Sequence, residues 1–197
     1  MTSDEIIRWQ TYQSRIAKPR ELLKEAISYV AHKGPALDLG AGSLYDSELL
    51  LKEGFEEVVA VDQTPQFREI PNMHGRFTYV EKQFNEYAFP TNHFDLVSAQ
   101  YALPFVSPDE FYGLWKHVRS SLKSGGIFTG QLFGERDGWH ESVSMIFHSI
   151  DTVRDLISDF EILAFEEKEY TEKTPRGKHW HYFDLIIRKR SSNANSH

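Results

Sequence analysis

Cysteine is absent from the sequence, which excludes disulfide bonds and thiolate metal sites and is compatible with a reducing cytosol. No apolar run is long enough to span a membrane. Residues 1–5 are acidic rather than basic, unlike the start of a signal peptide. We therefore expect a cytoplasmic protein that has no membrane partner.

Positive charge is also scarce, because 22 lysines and arginines face 29 acidic residues and give a net charge of −7. The basic residues are dispersed along the chain, so attraction to nucleic acid is not expected. The 197 residues, of which 40% are hydrophobic, suit one domain with a sizeable core. We expect a monomer or a homodimer.

What the sequence does contain is a glycine turn at residues 36–43, Ala-Leu-Asp-Leu-Gly-Ala-Gly-Ser. A short apolar stretch, typical of a buried strand, runs directly into Gly40 and Gly42. Glycine permits positive φ and lets a ligand approach the backbone closely. Asp38 stands where a structural parallel strand prefers Val, Ile or Leu. The pattern predicts a ligand-binding turn; in the alternative interpretation, Asp38 is a buried acid that caps its own loop.

The turn lacks the third glycine of a dinucleotide fingerprint, since Tyr45 occupies that position. The carboxylate of Asp38 would repel a pyrophosphate, whereas it attracts the ammonium and sulfonium groups of S-adenosylmethionine. Asp62 closes the second predicted strand, at a point suited to accept hydrogen bonds from both ribose hydroxyls. These features favour S-adenosylmethionine over NAD or FAD as the ligand.

Together these residues resemble the motifs of the class I S-adenosylmethionine-dependent methyltransferases. Two further motifs follow in the order of that family, Phe-Asp-Leu-Val at 94–97 and Leu-Lys-Ser-Gly-Gly at 122–126. A second resemblance, to the small bacterial methyltransferases of the tellurite-resistance type, rests on residues 133–135, Trp139 and residues 179–181. The resemblance implies an S-adenosylmethionine-dependent enzyme that methylates a small molecule by in-line displacement.

The same resemblance implies an α/β fold, a Rossmann-like three-layer sandwich around a mostly parallel seven-stranded sheet with its last strand antiparallel, plus an N-terminal helical lid. We expect the lid at residues 1–20, the methyltransferase domain at 21–190 and a disordered tail at 191–197. A solvated helix held by Trp9 is the alternative for the lid. Periodicity predicts strands at 36–39, 57–61, 76–80, 94–99, 127–133, 160–170 and 178–189, and helices at 20–32, 46–53, 107–122 and 149–160.

The residues expected to bind the cofactor follow the first four predicted strands. Gln83 stands where the family commonly has Asp, and its amide can accept from the adenine amino group and donate to a ring nitrogen. Phe84 can offer a ring face to the base. As an alternative, Gln83 is only a surface residue. The full set is Asp38, Gly40, Ala41, Gly42, Ser43, Asp62, Gln63, Gln83, Phe84, Ala99 and Gln100.

No single catalytic residue is predicted, because the sulfonium leaves as a neutral thioether and the enzyme chiefly positions the acceptor and excludes water. A histidine base would help an acceptor that must lose a proton. His179 and His181 share one strand face, where they either bond to neighbours or share a metal; we expect no metal. The acceptor-side candidates are Tyr12, Arg20, Tyr101, Trp139, His140, His179 and His181.

Two other functions stay open at this point. A non-catalytic protein with the same fold would bind a nucleotide-like ligand or a protein partner, and a crevice blocked by Tyr45 or Trp139 would favour it. A nucleic-acid methyltransferase is disfavoured, because no Asn/Asp-Pro-Pro-Tyr/Phe/Trp motif follows the fourth predicted strand. A methyltransferase acting on a small molecule is the leading hypothesis.

Overall fold

The described part of the protein is organised around one sheet of seven strands. The computed structural model describes residues 18–65, 70, 75–174 and 177–191. Tyr12, nearly all of the predicted lid and residues 192–197 of the predicted tail lie outside the described residues.

The sheet is mostly parallel. Its strands are β1 (Pro35–Leu39), β2 (Glu57–Asp62), β3 (Phe77–Glu81), β4 (Phe94–Ala99), β5 (Leu122–Phe133), β6 (Phe160–Thr171) and β7 (His179–Lys189). Their order across the sheet is β3-β2-β1-β4-β5-β7-β6. β7 is antiparallel to both β5 and β6, and all other neighbours pair in parallel. The predicted topology is confirmed.

Helices cover the sheet on both faces. In the described ranges they are α1 (Glu21–Ser28), α2 (Tyr45–Lys52), α3 (Pro108–Ser121) and α4 (Ile150–Leu156). Leu23 of α1 and Leu50 of α2 share one core cluster with Ile186 of β7, while Trp115 of α3 and Val153 of α4 lie in a second cluster. Burial of these two apolar faces holds the three layers together. None of the helices in the described part is both long enough and apolar enough to cross a membrane.

Two helices end earlier than their sequence patterns predict. α1 stops at Ser28 rather than at residue 32, since the Lys33 carbonyl already accepts from the Glu56 N–H (2.9 Å) as the chain enters the sheet. α4 stops at Leu156 because Phe160 pairs with Lys189 as the first residue of β6. Pairing between distant strands therefore overrides local helical periodicity.

β5 begins earlier than predicted. It starts at Leu122, directly after α3, so residues 123–126 belong to the strand rather than to a separate turn. Gly125 takes a φ of +80° there, a conformation that glycine adopts without a steric penalty. The register against β4 shifts between Phe94 and Leu96, as in a β-bulge.

Candidate functional site

A cavity of about 740 Å³ opens at the carboxyl ends of the parallel strands, where open α/β sheets bind ligands. Its volume lies within the ~300–1,000 Å³ of small-molecule sites. We divide its lining into a polar half and an aromatic half. The polar half consists of Gly40, Asp62, Gln63, Lys82, Gln83, Phe84, Asn85 and Gln100. The aromatic half consists of Arg20, Tyr101, Phe105, Phe133, Trp139, Tyr170 and Trp180, and Ala102, Val106, Glu110 and Leu114 complete the lining.

The glycine turn forms the floor of the polar half. Gly40 has a φ of +75°, and a Cβ placed on it would lie 2.5 Å from the Ala102 Cβ, so only glycine fits. Its N–H donates to the Val61 carbonyl (2.8 Å). Gly42 has a φ of +43°, and its N–H donates to Asp62 Oδ2 (2.9 Å). The end of β2 therefore holds the turn that follows β1.

Asp62 is the acid best placed to meet a ligand in the polar half. Its Oδ1 accepts from the Thr64 N–H (2.9 Å) and hydroxyl (2.8 Å), and its Oδ2 accepts from Gly42. A carboxylate offers about four lone-pair sites, so acceptor capacity remains on Oδ2. These bonds fix the carboxylate while leaving it able to accept from a ligand hydroxyl.

Asp38 lies beneath the turn and does not line the cavity. Its Oδ2 accepts from the Ser47 hydroxyl of α2 (2.5 Å). Burial raises the pKa of Asp38 to about 8, and the nearby carboxylates of Asp46 and Asp62 add to the rise. Burial also raises the pKa of Asp46, which accepts from the Arg20 backbone N–H (2.8 Å). These contacts match the alternative of a buried acid, and a direct cofactor contact by Asp38 stays a prediction.

Some of the other predicted cofactor residues line the cavity, and others are buried away from it. Gln63, Gln83, Phe84 and Gln100 line it, whereas Ala41, Ser43 and Ala99 are buried and absent from its lining. Gln83 precedes the short 3₁₀ helix Phe84–Glu86, and its N–H donates to the Glu86 carboxylate (3.3 Å). Gln100 Nε2 donates to the Ser98 hydroxyl (3.2 Å). The structure thus brings four of these side chains to the cavity beside Gly40 and Asp62.

Tyr101 marks the boundary between the halves, two residues after the end of β4. Its φ is +54°, which is uncommon for a residue with a side chain and is found at functional sites. The conformation is held by its N–H, which donates to Gln131 Oε1 (2.8 Å). Gln131 Nε2 in turn donates to Gln100 Oε1 (3.2 Å) and Asp184 Oδ1 (2.8 Å). Burial raises the pKa of the Tyr101 phenol, which keeps it a hydrogen-bond donor.

The rings of the aromatic half contact one another and form one wall of the cavity, which we call the aromatic wall. The ring centroids of Trp139 and Trp180 are 5.6 Å apart, those of Phe133 and Trp180 are 5.9 Å apart, and those of Phe105 and Trp139 are 6.2 Å apart. Phe105 is 44% exposed and Trp139 is 42% exposed. Exposed clustered rings of this kind mark binding sites.

Three predicted acceptor-side histidines do not line the cavity. His181 Nδ1 accepts from the Arg136 N–H (3.0 Å), and its Nε2 lies 2.9 Å from Glu167 Oε1. His179 Nε2 lies 3.1 Å from Glu169 Oε1, and His140 Nδ1 lies 3.0 Å from the Asp137 carbonyl. This is the arrangement of histidines bonded to their neighbours. No group of three potential metal ligands occurs among the residues that the structure describes.

The comparison with protein families gives the assignment. Residues 37–129, which run from β1 into β5 and include the glycine turn and Asp62, match the family described as a methyltransferase domain. The matched residues, just under half of the chain, are a methyltransferase domain of the class I S-adenosylmethionine-dependent type. Its cofactor is S-adenosylmethionine, so the predicted family and cofactor are confirmed. No curated protein matches the sequence, and the tellurite-resistance resemblance stays a prediction.

Solved structures share the fold of this methyltransferase. A Burkholderia thailandensis 1,6-didemethyltoxoflavin-N1-methyltransferase, with bound 1,6-didemethyltoxoflavin and S-adenosylhomocysteine, is 20% identical over 87% of this chain and 79% of that chain, with a TM-score of 0.65. A Methanosarcina mazei S-adenosylmethionine-dependent methyltransferase is 20% identical over 88% and 99%, with a TM-score of 0.60. A chain from the Haloferax volcanii complex with the Trm112 methyltransferase activator is 14% identical over 97% and 98%, with a TM-score of 0.74.

Sequence reasoning missed three residues that shape the site of this methyltransferase. Gln131 accepts a hydrogen bond from the Tyr101 N–H. Asp137 anchors the loop before Trp139, because its Oδ1 accepts from the Trp139 N–H (2.9 Å). Lys178 lies against the aromatic wall. Gln131 was detectable, because a buried strand rarely carries a long polar side chain without a purpose. Asp137 and Lys178 meet across 41 positions of sequence, and no local signal joins them.

Proposed function

We propose that this methyltransferase transfers the methyl group of S-adenosylmethionine to a small molecule that lies in the aromatic half of the cavity, while the cofactor lies in the polar half. The observation that carries the proposal is that one cavity contains both halves, which meet at Gln100 and Tyr101. A cofactor seated on the turn would present its methyl group toward Tyr101. The acceptor would then approach from the aromatic side.

The cofactor contacts follow from the charges and hydrogen-bond groups of the polar half. Asp62 would accept from the ribose hydroxyls, and Gln83 and Phe84 would meet the adenine. The Asp62 carboxylate, which lines the cavity, gives the polar half a negative field, which would attract the ammonium and sulfonium groups of the cofactor. The same field disfavours a phosphate-bearing dinucleotide.

Methyl transfer needs little from the side chains. A lone pair of the acceptor forms a bond to the methyl carbon while the carbon–sulfur bond breaks. The electrons of the broken bond stay on the sulfur, which leaves as part of neutral S-adenosylhomocysteine. A proton on the acceptor leaves to water or to a group of the substrate itself. Tyr101 would donate a hydrogen bond that orients the acceptor, and the rings would exclude water. No residue of the lining is assigned as a base.

A small acceptor is supported by the enclosure of the cavity and by the Burkholderia relative, which was solved with 1,6-didemethyltoxoflavin bound. Neither Tyr45 nor Trp139 blocks the crevice, since Tyr45 is absent from its lining and Trp139 forms a wall. This supports an enzyme over a non-catalytic binding protein. A cytoplasmic location and a monomeric or homodimeric state belong to the same proposal.

Calorimetry with S-adenosylmethionine, S-adenosylhomocysteine and NAD tests the cofactor half of the proposal. We expect the first two to bind and NAD not to bind. Production of S-adenosylhomocysteine is then followed with small aromatic molecules, transfer RNA and a protein mixture as acceptors. Methylation of RNA or protein but of no small molecule would refute the small-molecule assignment. Sedimentation and cell fractionation test the oligomeric state and the location.

A further inference from the structure

The aromatic wall contains a cation that belongs to the protein itself. The Lys178 Nζ lies 3.4 Å from the ring centroid of Trp180, 4.1 Å from that of Trp139 and 5.1 Å from that of Phe133. Distances within about 6 Å are those of cation–π attraction. The three rings therefore form an aromatic cage that Lys178 already fills.

Lys178 lies behind the wall rather than in the cavity. All three rings line the cavity, whereas Lys178 does not. Its Nζ forms an ion pair with the fully buried Asp137 Oδ2 (2.6 Å). Asp137 also accepts from the backbone N–H groups of Trp139 (2.9 Å) and His181 (3.2 Å), so its charge is shared among several donors. The Lys178 ammonium is therefore in contact both with the rings and with the Asp137 carboxylate.

Because the Lys178 ammonium already occupies the cage, binding of a second cation to the same rings is disfavoured. The ring electrons are already drawn toward the Lys178 ammonium, which leaves the cavity side of Trp139 and Trp180 a poor site for another positive charge. A second cation borders the same space, because the Arg20 guanidinium lies 5.1 Å from the Tyr101 ring centroid. Two acids lie outside the two halves: Glu172 accepts from the Trp180 indole N–H (2.8 Å) and does not line the cavity, whereas Glu110 lines it and accepts from the Ser107 hydroxyl (2.8 Å).

We propose that the acceptor is a flat aromatic molecule, neutral or anionic, that stacks on the cavity side of Trp139 and Trp180, and that Lys178 determines this class by excluding cationic acceptors. The inference rests on the proposed function, since it names the substrate class of the same cavity. Ring stacking supplies the affinity, and Arg20 in the lining together with Lys178 behind the rings supplies the charge preference.

The test is calorimetry of the protein saturated with S-adenosylhomocysteine, using three probes that share one ring system: 2-naphthoate, 2-naphthol and 2-naphthylmethylammonium. We expect the first two to bind. The ammonium probe should bind at least about tenfold more weakly than they do, because juxtaposed like charges lower affinity. An ammonium probe that binds as tightly as 2-naphthoate overturns the inference. So does a protein that binds S-adenosylhomocysteine but none of the three probes, while the proposed function then still stands. Failure to bind S-adenosylhomocysteine overturns the proposed function instead.

Matched variants isolate the part played by Lys178. In Lys178→Met, we expect the preference for 2-naphthoate over the ammonium probe to shrink by about threefold or more, because the cage no longer contains a cation. Lys178→Arg keeps the charge and should keep the preference. Since Lys178→Met leaves Asp137 buried without its partner, the double variant Lys178→Met with Asp137→Asn removes both charges and secures folding. An unchanged preference in a variant that still binds S-adenosylhomocysteine refutes the role of Lys178.

Discussion

The two halves of the cavity are assembled over different distances along the chain. In the polar half, Gly40 directly follows β1, Asp62 ends β2 and Gln83 lies two residues after β3, so the strand before or at each residue places it. In the aromatic half, the rings of Tyr101, Phe133, Trp139 and Trp180 come from segments between residues 101 and 180. Strand order therefore builds the first half, and long-range packing builds the second.

The halves also differ in what holds them. Hydrogen bonds between backbone and Asp62 fix the polar half, whereas ring contacts and one lysine fix the aromatic half. A conserved reaction needs a fixed cofactor, and a particular acceptor needs an adaptable wall. Changes in the polar half should therefore affect cofactor binding, and changes in the aromatic half should affect acceptor binding.

The largest effect is expected from Asp62→Ala, which would weaken S-adenosylhomocysteine binding by roughly ten- to a hundredfold. The variant would remove the charge-assisted hydrogen bond that we propose between Asp62 and the ribose, worth about 1.5–3 kcal/mol, and it leaves the Gly42 N–H without its partner. Calorimetry measures the affinity. Glu25→Gln, in the exposed face of α1, is the matched control and should bind normally. An affinity unchanged in Asp62→Ala would remove this residue from the cofactor site.

A second comparison uses two glycines. Gly40→Ala forces a Cβ against Ala102 at a φ of +75° and should cost about 1–3 kcal/mol of unfolding free energy, with weaker cofactor binding. Gly113→Ala, inside α3 with open space around it, should instead stabilise the protein by about 0.5–1 kcal/mol. Urea denaturation measures both. Equal effects of the two variants would contradict a special role of the turn.

Gln131→Leu tests the boundary between the halves. The variant leaves the Tyr101 N–H without an acceptor at a φ of +54°, which should cost about 1–3 kcal/mol of unfolding free energy. Because Tyr101 borders the aromatic half, the affinity for 2-naphthoate should fall more than the affinity for S-adenosylhomocysteine. Paired calorimetric titrations measure the ratio. A larger loss on the cofactor side would contradict the division that we describe.

A further prediction concerns pH. The folded pKa of Asp38 is about 8, above its ordinary value of 3.8, so this residue favours folding most below pH 4, and its contribution is lost as the pH rises toward 8. Asp38→Asn, whose amide oxygen can still accept from Ser47, should raise the melting temperature at pH 8 and change it little at pH 4. Thermal melts at both values measure the difference. A lower melting temperature at pH 8 would show that Asp38 is stabilised as an anion.

The sequence was sufficient where a residue and its surroundings are close together in the chain. The glycine turn, the seven strands and the position of Asp62 all follow from short patterns of apolar residues and glycine. It was insufficient where the partner lies on another element. From the sequence, His179 and His181 were either acceptor-side bases or histidines bonded to neighbours, and their partners Glu169 and Glu167 lie on the neighbouring strand β6. Nothing in the local pattern reveals that pairing.

The most direct test of the account is a crystal structure of the protein with S-adenosylhomocysteine. We predict that the ribose hydroxyls donate to the Asp62 carboxylate, that the adenine lies against Phe84, and that the sulfur faces Tyr101 and the aromatic half. A ligand lodged between Trp139 and Trp180, or a ribose that does not contact Asp62, would contradict the division of the cavity into a cofactor half and an acceptor half.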